Sequence, residues 1–271
     1  MGLTKPFAFM AGAAVGGTPD ADAWITQVIA DGGSLTTTEQ QAVRDLETDL
    51  KATSGLYDDL IAIYPLVGGD EASCKYNLKD AASSFTYTIG FSGSWTFDAD
   101  GCTGDGLTTY GNTDLSPNDI AGIGTGISLH VYLTVNVTSP SSYDLGANEQ
   151  SVIAGFNNTT LYGNVKSAPG SYQTATGQVT GVGNLYSMRH DTNGAGTLSL
   201  LKDGTQVQTA ARTWTTSENN TFYLGNDHRG ATNPEYGNKG YGFAALGNHL
   251  DNTKMSGLNT AVQDYNTALS R

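Results

Sequence analysis

Charge is scarce in these 271 residues: Asp, Glu, Lys and Arg together make up 14% of the chain. Lys and Arg are the scarcer sign, 13 against 26 acids, and they are scattered, leaving a formal charge of -13. Phosphate backbones are held by grouped Lys and Arg, so nucleic acid is excluded as a partner, and acidic membranes with it. Cysteine is almost missing. Cys74 and Cys102 make no disulfide framework, and whether they pair is left open by the sequence. Two reduced, half-buried thiols in a protein made in a reducing cytoplasm are the expectation. No apolar run reaches the ~18 residues of a membrane span. Histidine is sparse too: His130, His190, His228 and His249 stand singly, without Cys or His at zinc-ligand spacing.

What the chain does have is glycine, at 35 residues, together with much Thr, Asn and Ser. That mix predicts many short strands and turns. The organising stretch is Gly126 to Thr138. There Ile127, Leu129, Val131, Leu133, Val135 and Val137 alternate with Ser128, His130, Tyr132, Thr134 and Asn136. A period of two puts the aliphatic side chains on one face of a strand and polar groups on the other, and it requires a second apolar layer opposite. His130, on the polar face, is read as a hydrogen-bonded structural residue.

Ahead of the strands the pattern is helical over residues 18–64. Thr18-Pro19 opens one helix, with Trp24, Ile25, Val28 and Ile29 as its apolar face and Gly32-Gly33 as its stop. Thr36 and Glu39 have capping-box spacing for a second. Leu56, Tyr57, Leu60, Ile61 and Tyr64 suggest a short third, ended by Pro65. From Ala72 the period becomes two, with Cys74, Tyr76 and Leu78 and then Phe85, Tyr87, Ile89 and Phe91 predicted as strands. Further strands are predicted at Val152–Phe156, Thr160–Val165, Leu185–His190, Thr221–Gly225 and Tyr241–Ala245, with a hairpin at Asp203-Gly204. Met255, Leu258, Val262, Tyr265 and Leu269 stripe a closing helix.

The expected architecture is mainly β, an antiparallel sandwich with a helical preface and a C-terminal helix. Its parts are a docking arm (1–17), a helical region (18–70), the sandwich (71–250) and the closing helix (251–271). The arm faintly imitates a secretory leader, with Lys5 before an apolar run. We expect it instead to stay and pack on a neighbouring subunit.

Several stretches then carry a family resemblance. They are Trp24-Ile-Thr-Gln-Val-Ile, Leu56 through Gly69, Lys75-Tyr-Asn-Leu-Lys-Asp80, Gly93-Ser-Trp-Thr-Phe97, Leu107 through Pro117, and Ala261 through Arg271. In order and spacing the chain resembles the concanavalin-A-like (laminin-G-like) jelly-roll domains of tailed-phage virion proteins. The resemblance implies a virion surface protein, a capsid decoration or head fibre or a tail-fibre component. Its partners would be other virion proteins, reached through the N-terminal arm. It brings no catalytic residues. Symmetric assembly is usual for surface proteins, so a homo-oligomer is expected.

Three kinds of chemistry bear on a chain of this pattern. Glycoside hydrolysis needs two carboxylates roughly 5–9.5 Å apart, and no glutamate falls in such a pattern on a predicted strand, so the chain is read as a non-enzyme. Calcium is the one cofactor with candidate ligands: Asp98, Asp100 and Asp105 in a Gly-rich acidic turn, a plain turn being the alternative. A host-surface glycan is the expected small partner. Its candidate residues are Asn226, Asp227, His228, Arg229 and Tyr236 on one polar loop, with Trp214 and Tyr172 as lesser candidates. An ordinary surface loop or subunit contact is the competing reading. The rival to a virion protein is a secreted carbohydrate-active enzyme or free lectin.

Overall fold

The computed structural model describes residues 19–121, 126–135, 143–147, 151–157, 160–165, 173–175, 181–214, 220–226 and 236–271. The arm at 1–17 lies outside them. Helix α1 (Pro19–Ala30) buries Trp24, Ile25 and Val28, and the Trp24 indole N–H donates to the Tyr76 carbonyl at 2.9 Å. Helix α2 (Thr37–Ala52) starts on the capping box of Thr36 and Glu39. The buried Glu47 of α2 accepts the Ala21 N–H at 2.6 Å, which answers one orphan donor at the start of α1.

A one-turn α3 (Leu56–Asp59) gives way to β1 (Leu60–Tyr64), which corrects the helix expected through Tyr64. All five residues of β1 are buried. Leu60 and Ile63 face the helices, while Ile61, Ala62 and Tyr64 face the inter-sheet core. A strand buried on both faces reads as a continuous apolar run, which helical spacing also fits. A second correction concerns residues 72–78. A capping box of Asp70 and Ser73 turns Glu71–Lys75 into a short helix, α4, where alternation had suggested a strand. Of the strand expected at 85–91, only β2 (Gly90–Ser92) forms.

The remaining elements are β3 (Thr96–Asp98), β4 (Gly101–Thr103), β5 (Tyr110–Asn112), α5 (Pro117–Ala121), β6 (Ile127–Val135), β7 (Tyr143–Ala147), β8 (Ser151–Asn157), β9 (Thr160–Val165), β10 (Gln173–Ala175), β11 (Asn184–His190), β12 (Gly194–Lys202), β13 (Thr205–Trp214), β14 (Tyr223–Leu224), β15 (Gly240–Gly247) and α6 (Asn252–Ala268). They build two antiparallel sheets. Sheet A runs β13-β12-β11-β6-β15-β4-β3, with β1 added on β15. Sheet B runs β10-β9-β8-β7-β14-β5-β2. Asp203 and Gly204, both at positive φ (49° and 72°), turn the β12–β13 hairpin as the two-residue loop requires.

Between the sheets lies the first core. Ile127, Leu129, Val131 and Leu133 of β6 face Leu145, Leu161 and Val165 of sheet B. The other side of sheet A carries a second core beneath α1, α2 and α6, which takes in Tyr132, Leu185, Leu201 and Phe243. The polar face of β6 is therefore covered by helices. Ser128 Oγ donates to the Asn248 carbonyl at 2.6 Å, and His130 Nδ1 pairs with Ser187 Oγ at 2.8 Å. Burial, aided by the Arg189 charge, pushes His130 down to about 3, so its ring is neutral at pH 7. Cys74 and Cys102 are free and fully buried, deeper than the half-burial expected.

Candidate functional site

The helices cover only part of the outer face of sheet A. Where α6 begins, β11, β12 and β13 emerge from beneath it, and their outward residues line an open groove. Arg189 stands opposite Ser128 on β6 and Ser199 on β12. Ser199 in turn faces Thr209, and Thr197 faces Ala211. Alternation puts this polar row on the side away from Leu198 and Leu200, which belong to the inter-sheet core.

The inner end of the groove is a cavity of about 330 Å³ lined by Arg189, Asp191, Thr197, Ser199, Gln206, His249, Asp251 and Asn252. Thr197 also lines a second cavity, of about 530 Å³, with Ala195, Gly196, Ala211, Arg212 and Thr213. Arg189 holds the wall in place: Nη1 donates to the Leu250 carbonyl at 2.6 Å and Nη2 to the Asn252 amide oxygen. Asp191 Oδ1 accepts the Thr197 N–H at 2.8 Å. Gly196 makes that possible, because a Cβ there would stand 2.2 Å from Asp191 Oδ1.

Burial lowers the His249 imidazole from its ordinary value, and the Arg189 charge adds to the effect. Asp251 caps α6 and is held below the usual carboxylate range by the Lys254 N–H. Two cations (Arg189 and Arg212), two carboxylates and the His249 imidazole thus line a groove whose other residues carry hydroxyls, amides or small apolar side chains. Such a surface can hydrogen-bond polyhydroxylated ligands through several donors and acceptors.

The residues singled out from sequence fall elsewhere. Trp214 is 1% exposed and packs edge-on to His190, with ring centroids 6.4 Å apart. Its indole belongs to the core and is not offered to a sugar ring, which corrects that assignment. Asn226 is buried and Tyr236 half-buried. Beside them the Gly237 N–H donates to the Gly225 carbonyl at 2.7 Å. Asp227, His228 and Arg229 lie outside the described residues, as does Tyr172.

The three aspartates are not gathered for calcium. Asp98 and Asp100 are exposed on the β3–β4 turn, where Asp98 Oδ1 accepts the Asp100 N–H at 2.8 Å. Asp105 accepts the N–H groups of Leu107, Thr108 and Thr109 on one oxygen and the Thr108 hydroxyl on the other. Desolvation works to raise it, but these donors outweigh that and hold it well below the usual carboxylate range. Among the described residues no set of three or more His, Cys, Asp or Glu is placed to hold a metal.

Sequence reasoning missed the groove. Thr197-Leu-Ser-Leu carries a signal, alternation that exposes Thr197 and Ser199 together, and Arg189 shares their face. That residues 249–252 cross over them depends on where α6 packs, which no local pattern contains.

No family model matches the chain, and no curated protein sequence does. Solved structures do. One is of botulinum neurotoxin type C, a toxin whose cell entry depends on two ganglioside molecules. It matches with a TM-score of 0.54 at 12% identity, over 77% of this chain and 52% of that one. The binding domain of botulinum neurotoxin DC, solved in complex with SialylT, matches at 0.52 and 12%, over 76% and 52%. Trypanosoma rangeli sialidase matches at 0.53 and 11%, over 81% and 39%. The chain thus spans about half the length of the toxin structures and less of the sialidase. At these identities the likeness establishes the fold, a concanavalin-like β-sandwich.

Proposed function

We propose that this chain is a structural protein displayed on the surface of a bacteriophage virion, as a capsid decoration, head fibre or tail-fibre component. Its outer sheet face would bind carbohydrate weakly during host adsorption. The observation that carries the binding is the groove beside the start of α6, where Arg189, Asp191, Thr197, Ser199, Gln206 and His249 present hydrogen-bonding groups. The ganglioside dependence of one structural neighbour and the sialyl ligand of another support a glycan as the occupant. The virion setting rests on the resemblance of the sequence stretches above and on the acidic, weakly charged composition. Synthesis in the host cytoplasm fits the two free thiols.

The sialidase likeness and the pair Asp191 and Asp251 favour one other reading, a glycoside hydrolase. Hydrolysis needs a carboxylic acid that keeps its proton near neutral pH. Asp251 is shifted the opposite way, and His249 is too. Binding without turnover is the reading these groups support.

The test is a glycan array probed with the wild type and with a Thr197→Ala/Gln206→Ala variant, followed by a hydrolysis assay on each hit. Retention that the variant loses at least tenfold, at an unchanged melting temperature, supports the groove. Equal retention, or turnover of a hit, refutes this assignment. Immunogold labelling of purified particles tests the virion setting separately.

A further inference from the structure

Among the described residues the two sheets have five edge strands, and four of them are guarded: β1 is five residues long and buried throughout. Strands β3, β10 and β2 are three residues long each, and β3 leads into the acidic Asp98–Asp100 turn. Short, charged edges are how sheets avoid recruiting another strand. The fifth, β13, is ten residues long, the longest strand described. Among the described residues its one ladder partner is β12. Thr205, Gln206, Thr209, Ala211 and Thr213 along it are exposed. It contains no proline, lysine or acid, and Arg212 is its sole charge.

We propose that the edge of β13 away from β12 pairs antiparallel with the same edge of a second copy, making a two-fold dimer with one continuous sheet A. Charge makes this hairpin a place where a second copy can approach. Two bodies of net charge -13 repel over most of their surface. The hairpin Gly194–Trp214 is the exception, with Asp203 its one acid against Lys202 and Arg212. Asp203 is occupied as well, accepting the Leu185 N–H at 2.9 Å and the Gln263 amide at 3.2 Å.

Register follows from the bulge. Leu200 pairs with Gln208 and Leu201 with Gln206, leaving Val207 extra, so the regular ladder is Gln208–Trp214. An antiparallel strand that pairs with itself about a two-fold sets one residue opposite its own copy. Centred on this ladder that residue is Ala211. Thr209 then meets Thr213, and Arg212 meets Ala210. Every outward contact is between small side chains, and no like charges stand directly opposite. The dimer places the two grooves on one continuous face, so two weak glycan contacts would act together. The pairing itself does not depend on what the groove binds.

Light scattering behind size exclusion, run on the full chain from nanomolar to high micromolar concentration, tests this. Twice the chain mass is expected for the wild type and a single chain mass for Ala211→Lys, which sets two ammonium groups against each other on the axis. Thr205→Lys, beyond the bulge, should still dimerise. Ala211→Cys should crosslink to itself on oxidation while Cys74 and Cys102 stay buried. Circular dichroism and melting curves establish that each variant folds. A monomeric wild type overturns the proposal, as does a dimer that Ala211→Lys leaves intact. So does a monomer whose attachment to particles Ala211→Lys abolishes, since the edge would then take a strand from another protein.

Discussion

Lys239 Nζ stands 3.2 Å from each carboxylate oxygen of Asp144, with both side chains wholly out of solvent. Asp144 belongs to sheet B and Lys239 leads into β15 of sheet A, so the pair joins the two sheets across the core. The Tyr241 hydroxyl donates to the same carboxylate at 3.0 Å. Burial pushes Asp144 up and Lys239 down, and in both cases it outweighs the partner's charge. Desolvation thus costs more than the attraction returns. Lys239→Ala or Asp144→Ala, which strands one buried charge, should cost about 3–5 kcal/mol in urea unfolding. The double variant Asp144→Leu/Lys239→Met should recover most of that loss, and a double variant as unstable as either single one would contradict this account.

His130 ties stability to pH. Its folded value of about 3 lies below the ordinary 6.5 of an exposed histidine. Between those values the unfolded chain binds a proton that the folded chain refuses. The stabilisation is therefore complete above the unfolded value and is lost as pH falls. The loss approaches ~1.4 kcal/mol per pH unit, about 2 kcal/mol by roughly pH 5. His249 is shifted the same way and adds to the slope. His130→Gln should flatten the dependence of unfolding free energy on pH relative to wild type. Identical slopes would show that His130 is not the group responsible.

Much of this architecture is legible in the sequence where the local rule and the tertiary environment agree. The alternation of Ile127–Val135, the capping box at Thr36 and Glu39, and the positive-φ pair Asp203-Gly204 each specify their own element. Leu60–Tyr64 defeats the same rules, because burial on both sides erases its period. Trp214 misleads differently: an aromatic next to a polar loop suggests a sugar platform, yet its ring turns inward against His190. The groove is least legible of all. Arg189 and His249 are 60 positions apart, and they share one cavity only because the Leu250 carbonyl docks on the Arg189 guanidinium.

Gly196 offers a local test of that groove. Gly196→Ala drives a methyl against the Asp191 carboxylate and the Thr192 side chain, whose nearest atoms stand 2.2 and 2.5 Å from the Cβ position. Overpacking of this kind costs roughly 1–3 kcal/mol. The melting temperature should fall, and glycan retention on the array should drop with it. Unchanged values of both would mean that Asp191 has room to move that the structure does not show.

The two thiols should be silent in the folded protein. Burial pushes the Cys102 thiol well above its ordinary value, and contact with the Cys74 thiol pushes it the same way. Thiolate is the reactive species, and solvent reaches neither sulfur. A colorimetric disulfide reagent should titrate no thiol in buffer and both in denaturant. Rapid labelling of either one in the native protein would show that α4 opens readily.

Strand β1 has its ladder partner far along the chain, Tyr64 opposite Ala244, and the Tyr265 hydroxyl closes on the Pro65 carbonyl across 200 residues. On the ribosome, five consecutive apolar side chains emerge long before β15 exists. At roughly 5–20 residues per second that interval is about ten to forty seconds. During it Leu60–Tyr64 has no sheet to join, so slow translation leaves this nascent chain open to aggregation. Co-expressed holding chaperones and cooler growth should raise its soluble yield.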